Sequence, residues 1–162
     1  MIIKDKEQRF FMDVAKRTAE LSTGIRLKVG SVVLDSTNNI VATAYNGNIR
    51  GGSNELEFRE YSKHDFVNEE YNLYDHLKES SYKLITKPSV IHAECNLIAH
   101  AARRGISING GSVFITHSPC AHCTAMLIQT GIKNVYFDKH FRTYVDVINE
   151  FNSYISFIQV GQ

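Results

Sequence analysis

The run Pro88-Ser-Val-Ile-His92-Ala93-Glu94-Cys95-Asn-Leu-Ile-Ala-His-Ala-Ala-Arg-Arg-Gly105, with its continuation through Ser118-Pro119-Cys120-Ala-His-Cys123-Thr-Ala-Met-Leu-Ile-Gln-Thr-Gly131, decides how this chain folds. Ile98, Ala99, Ala101 and Ala102 carry a helix onward from His92 until Gly105 stops it, and Thr124 to Thr130 carry one from Cys120 until Gly131. Between them Gly111 to His117 is apolar and β-branched, the pattern of a short strand. Strand and second helix thus return Cys120 and Cys123 to the first turn that holds His92. The two cysteines, three residues apart, share one helical face, and a helix N-terminus favours their thiolate forms. One imidazole and two soft sulfurs suit a single zinc ion. Three protein ligands leave the fourth tetrahedral position to water, which marks a catalytic rather than a structural site. Glu94, with no soft-metal role, is left to carry protons beside the metal. Taken singly, Cys-x-x-Cys could be a redox pair and His92 a capping side chain; their conjunction with Glu94 and Pro119, in this order, selects the metal.

His-x-Glu followed by Pro-Cys-x-x-Cys is the established signature of the zinc-dependent cytidine deaminases, and residues 92–94 with 119–123 resemble it. The surroundings resemble the deoxycytidylate deaminase branch. His92 to Gly105 is similar to that branch's zinc helix, Ser22-Thr23-Gly24-Ile-Arg26-Leu-Lys28-Val29-Gly30 to its strand entry, and Tyr45-Asn46-Gly47 to its Tyr-Asn-Gly loop. The resemblance covers most of the chain but not Asn54 to Lys87. Gly24 stands where some relatives have a cysteine of a second, structural zinc, and this chain has no cysteine to spare for one.

What the resemblance implies is hydrolytic deamination of dCMP to dUMP and ammonia, a source of dUMP for dTTP synthesis. Zinc activates a water against the amine-bearing carbon, and the glutamate passes protons to the leaving ammonia. Arg26 and Arg142 would hold the substrate phosphate, Asn46 the sugar, and Ala93, Ser118 and Pro119 the base, with the carbonyl between Ser118 and Cys120 accepting from the exocyclic amine. Phe141 stands where relatives often have tyrosine, which makes the loop from Phe137 to Arg142 the looser match. Relatives are typically hexamers that dCTP activates and dTTP inhibits, with the triphosphate held through magnesium. The corresponding positions are Lys28, Tyr45, Asn46, Gly47, Arg50 and Gly52, and Arg103 matches a subunit interface. Glycine-rich backbone can approach phosphates closely, although an Asn-Gly pair is also an ordinary turn signal.

Composition narrows the partners. With 162 residues, 43% of them hydrophobic, and 2 prolines, the chain fits a single domain spanning 1–162 with a sizeable core. A net charge of +1, from 18 basic and 17 acidic residues, lacks the excess that a phosphate backbone rewards. That favours a small ligand and argues against a deaminase of transfer RNA or single-stranded DNA. The same residues would also suit a dual dCMP/dCTP deaminase or a non-catalytic zinc module. No run approaches the roughly 20 apolar residues of a membrane span. Lys4, Asp5, Lys6 and Glu7 interrupt any signal-peptide core, so a cytoplasmic location is expected. Of 3 cysteines two are assigned to metal, which leaves Cys95 as a small helix residue near the site and excludes a disulfide framework.

The remaining elements follow from periodicity. Residues Lys4 to Leu21 predict an amphipathic helix with Phe10, Phe11, Val14 and Leu21 on its apolar side. Val29 to Asp35 and Ile40 to Tyr45 predict a hairpin closed by Ser36-Thr37-Asn38-Asn39. Asn134 to Phe137 and Ile155 to Val160 predict strands, and Tyr144 to Phe151 a helix. From Arg50 to Lys87 charges and tyrosines follow no clear period; an irregular insertion is expected there, a solvated lid or subunit contact, with a short helix over Val67 to Glu79. His100, His117, His122 and His140 are read as packing or surface residues, and His64 and His76 as solvated. The sum is a three-layer α/β/α sandwich on a five-stranded mixed sheet, which is also the cytidine deaminase-like fold that the resemblance implies.

Overall fold

The computed structural model of the protein describes residues 3–63 and 71–161. In chain order the elements are α1 (Asp5–Ala19), β1 (Gly30–Leu34), β2 (Ile40–Tyr45), β3 (Gly47–Asn48), β4 (Glu57–Tyr61), β5 (Leu73–Asp75), β6 (Ser80–Thr86), β7 (Val90–Ile91), α2 (Ala93–Arg104), β8 (Ser112–His117), α3 (Ala121–Gln129), β9 (Asn134–Lys139), α4 (Tyr144–Phe151) and β10 (Ser156–Gln159). The main sheet runs β10-β9-β8-β1-β2. β10, β9 and β8 are parallel, while β1 is antiparallel to both neighbours. The sheet is therefore mixed and five-stranded, as the sequence predicts.

Strand alternation divides the core into two layers. Val32, Leu34, Phe114 and Tyr136 face α1, where Met12 and Ala15 cover them and the Phe114 and Tyr136 rings stack at 4.3 Å. Val33, Val113, Ile115, Val135 and Phe137 face the other way, onto Leu97 and Ala101 of α2 and Leu127 of α3. That second layer carries the helices expected to hold the metal. The helix α1 lies so close to β1 that a Cβ at Gly30 would stand 2.1 Å from the Ala15 carbonyl oxygen, which is why glycine opens this strand.

Two expectations need correction. Phe10 is 58% and Leu21 is 64% exposed. Phe11 and Val14 of the expected side do pack, partly buried, against this core, but the deepest residues of α1 are Met12, Ala15, Thr18 and Ala19, because small residues permit the close approach at Gly30. The second correction is larger. Of the helix expected over Val67 to Glu79, residues 67–70 lie outside the described ones, as does His64, and the rest is β5 and a turn. With β4 and β6 it forms a second, three-stranded antiparallel sheet in the order β4-β6-β5. Asp75 closes that turn by accepting hydrogen bonds from the Leu77 and Lys78 amides, 3.0 and 3.3 Å away, and Glu79 follows with φ 48°. This segment is thus less irregular than its composition implies.

Candidate active site

Both metal-bearing helices begin on a potential ligand. His92 is the N-cap of α2 and Cys120 the N-cap of α3, each with extended backbone that turns its side chain off the helix end. Cys123 follows one turn into α3 and is buried, Cys120 is half-buried, and His92 is exposed. The donor atoms of the three lie within 4.8 Å of one another. His92 Nδ1 is 3.7 Å from Cys120 Sγ and 3.4 Å from Cys123 Sγ. Zinc bonds of about 2.3 Å to sulfur and about 2.0 Å to nitrogen, set tetrahedrally, separate such donors by about 3.5 Å. The two distances bracket that value, so the donor set fits zinc.

Local sequence fixes this geometry from both sides. Ser31 Oγ on β1 lies 3.1 Å from the Ala93 carbonyl oxygen and 3.2 Å from that of Ala44, tying the first turn of α2 to the sheet. Thr124 Oγ1 donates to the Cys120 carbonyl at 3.0 Å, holding the first turn of α3. Residues Leu97 and Leu127, both fully buried, lock the two helices against the sheet below the donors. The ligands are therefore anchored on rigid elements rather than on loops.

Charge in this cluster is far from ordinary. Glu94 is 4% exposed, and burial pushes its carboxyl up to about 7, close to balance between its two forms at neutral pH. Hydrogen bonding from Cys123 and then His92 pulls Cys120 down to about 3, while the same contact holds the Cys123 thiol well above its usual range. His92 rises to about 9 beside the Cys120 sulfur. A cation taken up here must displace the protons that these groups share, so metal affinity falls with falling pH.

The other expected residues fall into separate groups. Ser118 and Pro119 are buried next to Cys120, and Ser118 Oγ accepts the Phe141 amide at 2.7 Å, which draws the loop carrying Arg142 toward the metal-binding turn. Arg142 itself is exposed, 5.5 Å over the Phe141 ring. Arg26 is exposed and donates to Thr86 Oγ1 at 3.2 Å, at the end of β6. Asn46 uses its amide on the main chain: Oδ1 accepts from Val29 N at 2.8 Å and Nδ2 donates to the Leu27 carbonyl at 2.9 Å. Tyr45, Gly47, Arg50 and Gly52 line one cleft of about 470 Å3, together with His100 and Arg103 of α2. Neither Lys28 nor Asn46 lines it. Among the described residues no helix is long and apolar enough to cross a membrane.

Sequence reasoning missed one link. Asn96 Nδ2 donates to the Tyr45 carbonyl at 2.9 Å, and His100 Nδ1 lies 3.1 Å from the Thr43 carbonyl oxygen. These two residues, one helical turn apart, join the helix of His92 and Glu94 to β2, the edge strand of the main sheet. Their spacing is visible in the sequence, but nothing there shows that an edge strand lies opposite.

A mixed sheet with a His/Cys/Cys donor set and a buried carboxyl at two helix N-termini is the architecture of a zinc-dependent deaminase. Residues 5–139 match the family described as the cytidine and deoxycytidylate deaminase zinc-binding region, and the chain belongs to that family. Among curated proteins, ComE operon protein 2 of Bacillus subtilis is 29% identical over 84% of this chain and 61% of its own length. The deoxycytidylate deaminase of Pongo abelii is 33% identical over 79% of this chain and 62% of its own. The match thus spans about three-fifths of these relatives. The dCMP deaminase of cyanophage S-TIM5, solved in complex with dCMP and dUMP, superposes with a TM-score of 0.71 at 28% identity, covering 98% of this chain and 99% of that one.

Proposed function

We propose that the chain hydrolyses dCMP to dUMP and ammonia. The observation that carries this reading is the convergence of His92, Cys120 and Cys123 within 4.8 Å at the start of the helix that buries Glu94. A zinc ion held by these three residues would supply the Lewis acidity that makes water nucleophilic at neutral pH. Glu94 does the proton work: its carboxylate takes one proton from the attacking water and gives it to the ring nitrogen, then takes the second from the hydroxyl formed at C4 and gives it to the departing amine. Burial, which raises this carboxyl above the usual range, makes its acid form accessible and so lets it give a proton as well as take one. The net change is that water's oxygen bonds to C4 of the base while the C4–N bond breaks and ammonia leaves.

Ala93, Ser118 and Pro119 wall the base, and the carbonyl between Ser118 and Cys120 orients the exocyclic amine. Arg26 and Arg142 bind the monophosphate as charge-assisted donors, and Asn46 shapes the sugar end. Asn46 does this at least in part through the strand-entry loop that its amide holds. Similarity to a deaminase solved with dCMP and dUMP supports the substrate. An ammonia-release assay on dCMP, deoxycytidine and dCTP tests it, and dCMP should be the best of the three. Equal efficiency on the nucleoside removes the phosphate contacts, and preference for dCTP replaces the substrate. A zinc-loaded protein inactive on all three overturns the reading.

Regulation is the finer part of the proposal. In a homo-oligomer, of hexameric type, dCTP with Mg2+ would activate and dTTP would inhibit, bound by Tyr45, Gly47, Arg50 and Gly52 together with Lys28 and Asn46. Arg103 stands at the subunit contact. The cleft shared by that loop and α2 supports this, because the Asn96 bond couples the loop to the helix of Glu94. An effector acts only by binding two states differently, so each triphosphate must favour a different setting of this contact. Sigmoidal kinetics in dCMP that dCTP makes hyperbolic is the expected result.

A further inference from the structure

Cys95 has no part in the chemistry above, yet its sulfur lies 3.7 Å from that of Cys123, across the interface of α2 and α3. It is not one of the donors that converge on the metal position. It is half-buried, whereas Cys123 is 1% exposed. At this separation the two sulfurs are in van der Waals contact, and a disulfide would bring them to roughly 2.05 Å. The pair therefore sets a half-buried sulfur against a buried one whose consumption would cost the metal a donor.

We propose that Cys95 is an oxidation site for peroxides, resolved by Cys123, and that the resulting disulfide expels the metal. The inference rests on the metal reading of His92, Cys120 and Cys123. The deprotonated Cys95 sulfur attacks one peroxide oxygen, the O–O bond breaks, and hydroxide leaves; Cys95 becomes a sulfenic acid and the peroxide is reduced. The Cys123 sulfur, which would otherwise be one of the three donors to the metal, then attacks the Cys95 sulfur. An S–S bond forms, the S–O bond breaks, and hydroxide leaves to be protonated. In sum two thiols and one peroxide give one disulfide and two waters. A metal left with His92 and Cys120 has lost one of its two sulfurs and dissociates, because a two-ligand site of this kind holds zinc far more weakly than a three-ligand one. A dithiol reductant and added zinc reverse the change.

The competing outcome is a Cys120–Cys123 bridge within the Cys-x-x-Cys turn, which would also release metal. The experiment therefore uses the zinc-loaded protein and its Cys95→Ser variant, each first assayed for zinc by elemental analysis. Both are then treated with hydrogen peroxide while zinc release is followed with a chromogenic chelator. Disulfides are mapped by mass spectrometry of unreduced peptides. The expected result is one zinc per chain in both proteins before treatment, a mapped Cys95–Cys123 disulfide in the wild type, and zinc release at least tenfold slower in the variant. Zinc release at equal rates in the two proteins, or a Cys120–Cys123 bridge in the wild type, overturns the proposal while leaving the metal reading intact. Absence of zinc from both proteins at the outset overturns the metal reading itself. Recovery of bound zinc on treatment with dithiothreitol distinguishes the disulfide from irreversible over-oxidation, which would also count against it.

Discussion

Residues 88–131 and residues 50–87 fold by opposite logics. In the first, α2, β8 and α3 each carry their own start and stop in sequence: His92 and Cys120 at the N-caps, and Gly105 and Gly131 at the ends with φ of 66° and 84°. In the second, strands β4, β6 and β5 are defined by one another. Tyr61 lies opposite Tyr82 with rings 5.8 Å apart, and Arg59 sits 4.7 Å over the Tyr82 ring. Glu60 accepts from Tyr71 at 2.9 Å and pairs with Lys83 at 3.2 Å. Cross-strand pairs of this sort each contribute roughly 0.2 to 1 kcal/mol, and only once the strands are aligned. Local signals make one region legible from sequence, while the other becomes legible only when its partners are known.

The comparison breaks first where the chemistry is concentrated. Cys123→Ala should lose zinc and reduce deamination to background, with secondary structure intact by circular dichroism. Zinc retained at one per chain would mean that another residue completes the set. Glu94→Gln should keep zinc and lower kcat by about 10^2 to 10^4, the usual worth of a positioned acid and base. Near-normal kcat in that variant would remove Glu94 from the proton path.

Most of the main sheet and the whole candidate metal site were legible because their signals are redundant. His92, Glu94, Cys120 and Cys123 are each fixed by spacing, by helix ends and by chemistry at once. On α1 the expected Phe11 and Val14 do pack inward, whereas bulk alone misplaces Phe10 and Leu21, because the closest contact is made by Ala15 and Ala19 over Gly30 and small side chains give only a weak apolar signal. The helix expected near Val67 to Glu79 failed for a different reason. Residues such as Tyr74, Tyr82 and Leu84 have strand preference, but the polar residues between them suit an exposed sheet and an exposed helix alike. Asp75, the residue that ends the strand, reads as one more surface charge until its donors are seen.

Stability should divide along the same line. Leu97 is fully buried beneath the candidate site, and Leu97→Ala should cost about 2 to 5 kcal/mol, lowering Tm by on the order of 10 °C. Leu84 on β6 is only half-buried, and the same truncation there should cost about 1 kcal/mol or less. Thermal melts of the two variants measure the contrast directly. Equal costs would show that the small sheet is built into the same cooperative core.

The smallest effect concerns Asp75, on which the small sheet converges. One carboxylate oxygen accepts from Arg59 Nη1 at 2.6 Å and from Tyr61 Oη at 2.9 Å, and the other accepts the two turn amides. The Tyr61 hydrogen bond, then those amides, hold its carboxyl below the usual 3.8. A carboxyl lowered on folding stabilises the folded form at every pH above its unfolded value, and that contribution disappears as pH falls through the folded one. Asp75→Asn should therefore speed amide exchange across residues 57–61 and 80–86 at pH 7, with zinc content and kcat for dCMP unchanged. At a pH below that lowered folded value the wild-type carboxyl is itself neutral, and the two proteins should exchange alike once intrinsic rates are corrected. A difference that persists undiminished at that pH would mean that the neutral Asp75 hydroxyl and carbonyl hold the turn as well as the carboxylate does. The sheet would then depend on hydrogen-bond geometry and not on charge.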